Sequence, residues 1–180
     1  MKRRLGAHQQ KNGFTIVELL IVIVVIAILA AITIVAYNGI QNRSYDTTVQ
    51  SDLRNFAKQL DLYNVENGAY PDSQAKLATI GVKVMKSAYG RHVVSGSANY
   101  NFLYCRPQPS DPSRYAIIAS SRSGTLFQYV DGSMSAISRV NWDTPAAPSA
   151  SLCTSVGVAT SNPQVWGYSN NIWETWVGGN

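Results

Sequence analysis

Residues 19–36 read LLIVIVVIAILAAITIVA, and the class of protein turns on these 18 positions. Thr33 is their one polar side chain, and none is charged. Extending back to Phe14 adds Thr15, Ile16, Val17 and Glu18, which makes 23 residues with one ionisable group, Glu18. An α-helix rises about 1.5 Å per residue, so roughly 20 such residues cross the hydrocarbon core of a bilayer. The competing reading is a buried helix of a soluble protein, but such helices carry polar punctuation that this run lacks.

The flanks give the run a direction. Lys2, Arg3, Arg4 and Lys11 precede it with no acid among them. The positive-inside rule then keeps the N-terminus cytoplasmic and exports everything after about residue 40. A cleaved secretory signal fits poorly. The apolar core is too long, and Ala27, Ala30 and Ala31 lie inside it rather than after it. No cysteine stands where a lipid would be attached, so the run is expected to stay in the mature chain.

Composition narrows the function. The chain has 180 residues, enough for one domain with an appendage. Only 14% are charged, well below the usual quarter, as expected if part of the chain avoids water. The net charge of +5 suggests nucleic acid, but the four leading cations supply most of it. Two cysteines, Cys105 and Cys153, exclude a Cys-rich zinc fold and allow one disulfide in an exported domain. Of the two histidines, His8 lies in the basic leader, leaving His92. There is no GxSxG, HExxH, CxxC or phosphate loop, so no catalytic residue is assigned and the chain does not read as an enzyme. No cofactor is implied. Asp111, Asp131 and Asp143 are too scattered to assign a metal site.

Glu18 is the exception inside the run. A carboxylate in hydrocarbon is costly unless neutralised or paired, and such residues are functional by default. The plainer alternative is that it marks the edge of the span. Residues 11–20, KNGFTIVELL, combine a cleavage glycine (Gly13), an aromatic first residue (Phe14), a carboxylate at fixed spacing and the apolar run. This resembles the class III signal of type IV pilins and pseudopilins. The resemblance implies that a prepilin peptidase cuts between Gly13 and Phe14 and that the new Phe14 amine is methylated. It implies that the helix first anchors the subunit and later forms a filament core. There Glu18 would pair with the Phe14 amine of a neighbouring copy, fixing axial register more than adding net stability. The sequence departs from many pilins in having Val35 where a proline is common, and Ala27 and Ala30 where a glycine is common. The first proline is Pro71. Continuous helix is therefore expected from Phe14 to Asn38, with Gly39 the likeliest bend.

Beyond Ala36 the chain turns polar without breaking. Val49, Leu53, Phe56, Leu60 and Tyr63 recur at spacings of four and three, an amphipathic stripe. The combined helix should run to about Glu66, approaching ~80 Å. It stops in YNVENGAYP, residues 63–71, where Asn67-Gly68 tolerates positive φ and Pro71 prevents resumption. This turn also resembles the end of the long helix in pilins and secretion pseudopilins. A connecting segment follows, with a short helix near Ser73 to Thr79. Asn99–Arg106, Arg114–Ser120 and Thr125–Val130 read as strands, with a hairpin turn at Ser121–Gly124 and a second turn at Asp131-Gly132. Residues 143–151 form a Pro/Ala/Ser connector. The tail from 152, with Trp166, Trp173 and Trp176, is expected to lie irregularly over a sheet edge.

The expected fold is thus α+β: a long N-terminal helix packed on a small antiparallel sheet. Its parts are a cleaved leader (1–13), a membrane and filament-core helix (14–38), an amphipathic helix (39–67), a connecting loop (68–98) and a sheet-bearing head with its tail (99–180). A Cys105–Cys153 bridge would pin the tail to the sheet. Lys76, Lys83, Lys86 and Arg91, with tyrosines nearby, could hold a polyanion, but a solvated connecting loop is the favoured reading. The resemblance makes the chain a polymerising subunit of a surface filament, with copies of itself, the peptidase, an assembly platform and its ATPase, and the membrane as partners. It would sit as a single-pass protein of the cytoplasmic membrane before assembly and as an extracellular filament afterwards. The alternatives are a pseudopilin of a type II secretion or DNA-uptake system, and a membrane-anchored binding protein that never polymerises.

Overall fold

The computed structural model describes residues 13–90, 92–93, 99–106, 112–137, 153–158, 164–169 and 172–179. Residues 1–12 of the leader, Arg91, Asp111 and the 143–151 connector with its Asp143 lie outside them. Two compact units meet between Ile40 and Gln41.

One helix, α1 (Ile16–Asn67), runs through both units. It passes Gly39 without interruption, because the residues before it satisfy every backbone group in the helix and none is proline. In the first unit each described residue is exposed. In the second, α1 buries Val49, Leu53, Phe56, Ala57 and Leu60, the anticipated stripe with Ala57 added. Tyr63 is only half-buried. The helix ends as expected: the Gly68 N–H donates to Asn64 O (2.8 Å) and Gly68 takes φ 73°.

After α1 come α2 (Gln74–Ile80), β1 (Val82–Lys83), a 3₁₀ turn (Lys86–Ala88) and β2 (His92–Val93). Ser73 caps α2 by accepting from the Lys76 N–H. The main strands are β3 (Asn99–Cys105), β4 (Ala116–Ser120), β5 (Leu126–Val130), β6 (Ser133–Ile137), β7 (Gln164–Ser169), β8 (Ile172–Trp173) and β9 (Val177–Gly178). The large sheet is antiparallel throughout, in the order β6-β5-β4-β3-β7-β8, with β2 also paired to β3.

Two expectations are corrected here. The Asp131-Gly132 turn opens a further strand, β6, because Asp131 (φ 48°) and Gly132 (φ 81°) both take the left-handed region that a tight hairpin needs. The sequence SMSAI hid that strand by its low content of β-branched residues. The tail is not irregular packing over an edge. It supplies β7, which pairs with the central strand β3, and β9, which pairs in parallel with β1. Gly167 in β7 lets the strand lie against Phe102, since a Cβ there would fall 2.2 Å from the ring.

Alternation along the strands sorts side chains into two cores. Phe102, Tyr104, Ile117 and Ala119 face α1, together with Leu77, Val82, Val84 and Trp176. Leu103, Cys105, Ala116, Ile118 and Leu126 face the other way and meet Cys153 and Val158. The Cys105–Cys153 disulfide lies in this second cluster, with Cα atoms 5.6 Å apart. Closing a loop of that length stabilises by at most about 4 kcal/mol in the chain-entropy account. Arg114 reinforces the same corner: its guanidinium meets Asp131 Oδ2 at 2.6 Å and donates to Gly157 O at 2.9 Å.

Tyrosines make the first core sensitive to alkali. Tyr104 donates to Pro71 O (3.1 Å), Tyr115 to Asp61 Oδ1 (3.3 Å) and Tyr89 to Asp52 Oδ2 (3.2 Å). Burial pushes all three phenols above their usual range, and the Asp61 and Asp52 carboxylates add to this for Tyr115 and Tyr89. The folded values lie above the unfolded value near 10, so stability is intact below about pH 10 and falls above it. Each fully protonated tyrosine contributes a slope of about 1.4 kcal/mol per pH unit. Denaturant titrations at rising pH should show this steep loss, with phenolate absorbance appearing only as the head unfolds. Phenolate formation in the folded head at ordinary values would contradict it.

Candidate assembly site

The site grows from the first turn of α1. Thr15 and Glu18 form a reciprocal cap. The Glu18 N–H donates to Thr15 Oγ1 (3.2 Å), while Glu18 Oε2 accepts from the Thr15 N–H (2.9 Å) and hydroxyl (2.8 Å). This is the capping box, S/T-x-x-E, written in the sequence as Thr15-Ile16-Val17-Glu18. The four-residue signature alone marks it in the sequence, where Thr15 passes for part of the apolar run. Two helix N-terminal donors and a carboxylate thus satisfy one another beside hydrocarbon. Both bonds to the Glu18 carboxylate fall on Oε2.

Phe14 precedes the cap and is 87% exposed. Around Gly13 no described residue would meet an added Cβ within 4 Å, so packing among the described residues does not require glycine there. Farther along, Thr33 donates to Leu29 O (2.6 Å), so the one hydroxyl of the apolar run is satisfied within its own helix. From Ile16 to Ile40 the helix shows Ile, Val and Leu side chains on every face, nearly all more than half exposed. It is long and apolar enough to cross a membrane. An all-round apolar surface has no stable place in water. It needs lipid or other helices.

The remaining sequence-predicted residues are dispersed. Lys76 on α2 meets Asp72 at 2.8 Å, which answers its charge locally. Lys83 lies on β1, and Lys86 reaches over the Trp173 ring at 5.8 Å. Arg91 is outside the described residues. Asp131 is taken by Arg114. Among the described residues no cluster of His, Cys, Asp or Glu could hold a metal ion.

The prokaryotic N-terminal methylation motif matches residues 8–34, the stretch that contains Gly13, Phe14, the cap and most of the apolar run. A long helix with this terminus, carried on a small antiparallel sheet, defines the pilin class. The chain belongs to the type IV pilin family. It is 35% identical over 116 residues to the type IV wide pilus major component PilA4 of Thermus thermophilus, covering 64% of this chain and 78% of that one. It is also similar to the type II secretion system core protein G of Klebsiella pneumoniae, at 27% over 66% of this chain and 81% of that one. The core protein G of Pseudomonas aeruginosa is 32% identical over a shorter stretch, 41% of this chain and 51% of its own length.

Proposed function

We propose that this chain is a structural subunit of a type IV pilus-like filament, made as a membrane-anchored precursor and polymerised through α1. One observation carries the reading. The apolar surface of α1 is exposed on all sides, and Glu18 is its only charge between Phe14 and Asn42. Lipid covers that surface before assembly, and the helices of other copies cover it afterwards. Residues 1–13 are the cytoplasmic leader, 14–38 the anchor and later the filament core, and the head is exported. A prepilin peptidase removes the leader, and an assembly platform with its ATPase extracts the subunit from the bilayer. In the fibre, Glu18 pairs with the Phe14 amine of a neighbour. Electron microscopy of cells with and without the gene tests the reading: filaments should vanish on deletion and return on complementation.

Similarity to the core protein G of type II secretion systems supports a second reading, a short pseudopilus subunit. Loss of secreted proteins on deletion, without loss of long surface fibres, would favour it.

Processing offers a separate check. Gly13→Ala places a methyl where no described residue stands in the way, so any block must come from the peptidase. The expected outcome is accumulation of uncut precursor, with unchanged head stability. Mass spectrometry of the wild-type fibre should find a chain beginning at N-methylated Phe14. A fibre subunit that still carries Met1 would refute the cleavage.

A further inference from the structure

The described head residues expose large apolar side chains at four places. Leu62 (62% exposed) and Val65 (83%) lie near the end of α1. Met85 (51%) lies beside the 3₁₀ turn and Ile172 (68%) on β8. Single exposed residues are ordinary, but an apolar side chain that lines a groove beside an unanswered charge marks an interaction surface.

Leu62 lines an open groove of about 400 Å³, together with Tyr63, Glu66, Thr79 and Ile80. The groove is electrically unbalanced. The last turn of α1 contains no basic residue, so Glu66 adds its charge to the negative end of the helix dipole. The nearby Lys76 is already held by Asp72. The edge around Met85 has the opposite character. Lys83 and Lys86 flank Met85, and Lys86 lies over the Trp173 ring. The two acids at this place are committed: Asp52 accepts from the Met85 N–H (2.8 Å) and Tyr89, and Glu174 accepts from Gln74 (3.0 Å).

We propose that the heads of successive copies join by these two unlike surfaces. The Lys83–Met85–Lys86 edge of one copy seats on the Leu62–Glu66–Ile80 groove of the next. The proposal rests on the filament reading and adds the head contact to it. Two different surfaces that complement one another form a heterologous interface, which propagates instead of closing on itself. Met85 and Leu62 supply apolar area, and the lysines answer Glu66 and the helix end. The Phe14–Glu18 pair sets the axial step, and the head contact sets the rotation between neighbours.

Engineered thiols test this cleanly, because Cys105 and Cys153 are bonded to each other. Full-length subunits carrying Leu62→Cys and Met85→Cys together should give a ladder of cross-linked multimers in sheared filaments. Each single variant should give monomers only. Dimers from either single variant would show a like-to-like contact and overturn the proposal. Filaments without the ladder would also overturn it, while leaving the filament reading intact. Absence of filaments from wild-type cells would instead remove that reading. Charge exchange gives a second readout if the thiol variants fail to assemble. Glu66→Lys, and Lys83→Glu with Lys86→Glu, should each lower filament yield roughly fivefold, and combining them should restore it. Normal yield from both single-sided variants would refute the contact.

Discussion

Subunits carrying Glu18→Val are expected to enter the membrane at full level and to build few or no filaments. Removing a carboxylate from the end of the span lowers the cost of insertion, by less than the roughly 3 kcal/mol that a charge costs at the helix centre. The same change leaves the Phe14 amine of the neighbouring copy without a counter-charge in an apolar core, which costs about 3–5 kcal/mol. Membrane fractionation and electron microscopy of the same cells separate these opposite effects. The reciprocal cap adds a control. Thr15→Ala breaks the cap at a cost of about 1 kcal/mol but keeps the carboxylate. It should weaken assembly mildly. If Thr15→Ala is as damaging as Glu18→Val, the carboxylate serves the cap and not the neighbour. Fibres of normal number and length from Glu18→Val would retire the pairing altogether.

Trp176→Ala should be the most damaging single change in the head. Trp176 is 2% exposed, and its ring centroid stands 5.8 Å from those of both Phe56 and Phe102. It therefore ties the tail to α1 and to the central strand. Emptying such a site costs about 3–5 kcal/mol, a large share of the 5–15 kcal/mol that holds a domain folded. Ile172→Ala, four residues earlier and exposed, should stay within about 0.5 kcal/mol. Denaturant unfolding of the full-length chain in detergent, followed by tryptophan fluorescence and circular dichroism, measures both. A loss below about 1 kcal/mol at Trp176 would mean that the core closes over the gap.

The parts of this fold that were legible in the sequence are those written in local periodicity. The apolar run, the Val49–Leu60 stripe, the Asn67-Gly68 stop and the strands around Phe102, Ile117 and Phe127 each follow from spacing within a dozen residues. The α+β class followed from their order. What escaped was non-local. Nothing near Gln164–Ser169 reveals that it pairs with a strand some sixty residues earlier. Nothing near Val177 points to Val82 as its partner. β6 was missed for a different reason: Ser, Ala and Met form an edge strand only because the Asp131-Gly132 turn delivers them to β5. At the N-terminus, Gly13, Phe14 and Glu18 stand out through the resemblance carried by KNGFTIVELL, whereas the reciprocal bonding of Thr15 is written only in the four residues Thr15–Glu18.

The strand order also decides when the head can take shape. β3 is flanked by β4, which follows it closely, and by β7, which comes much later in the chain. Trp176 and β9 come later still, yet they complete the core against α1 and β1. In the proposed topology, with the N-terminus held in the cytoplasm and the head following α1 across the membrane, the emerging chain presents a half-built sheet, open along one side of its central strand, until translation is nearly done. During that interval β3 offers unpaired backbone groups to any extended segment nearby. The burden then falls on whatever guards the chain at the exit of the translocation channel. Ribosomes that stall before codon 164 would release a fragment with an anchor but no finished head, a natural substrate for membrane quality-control proteases.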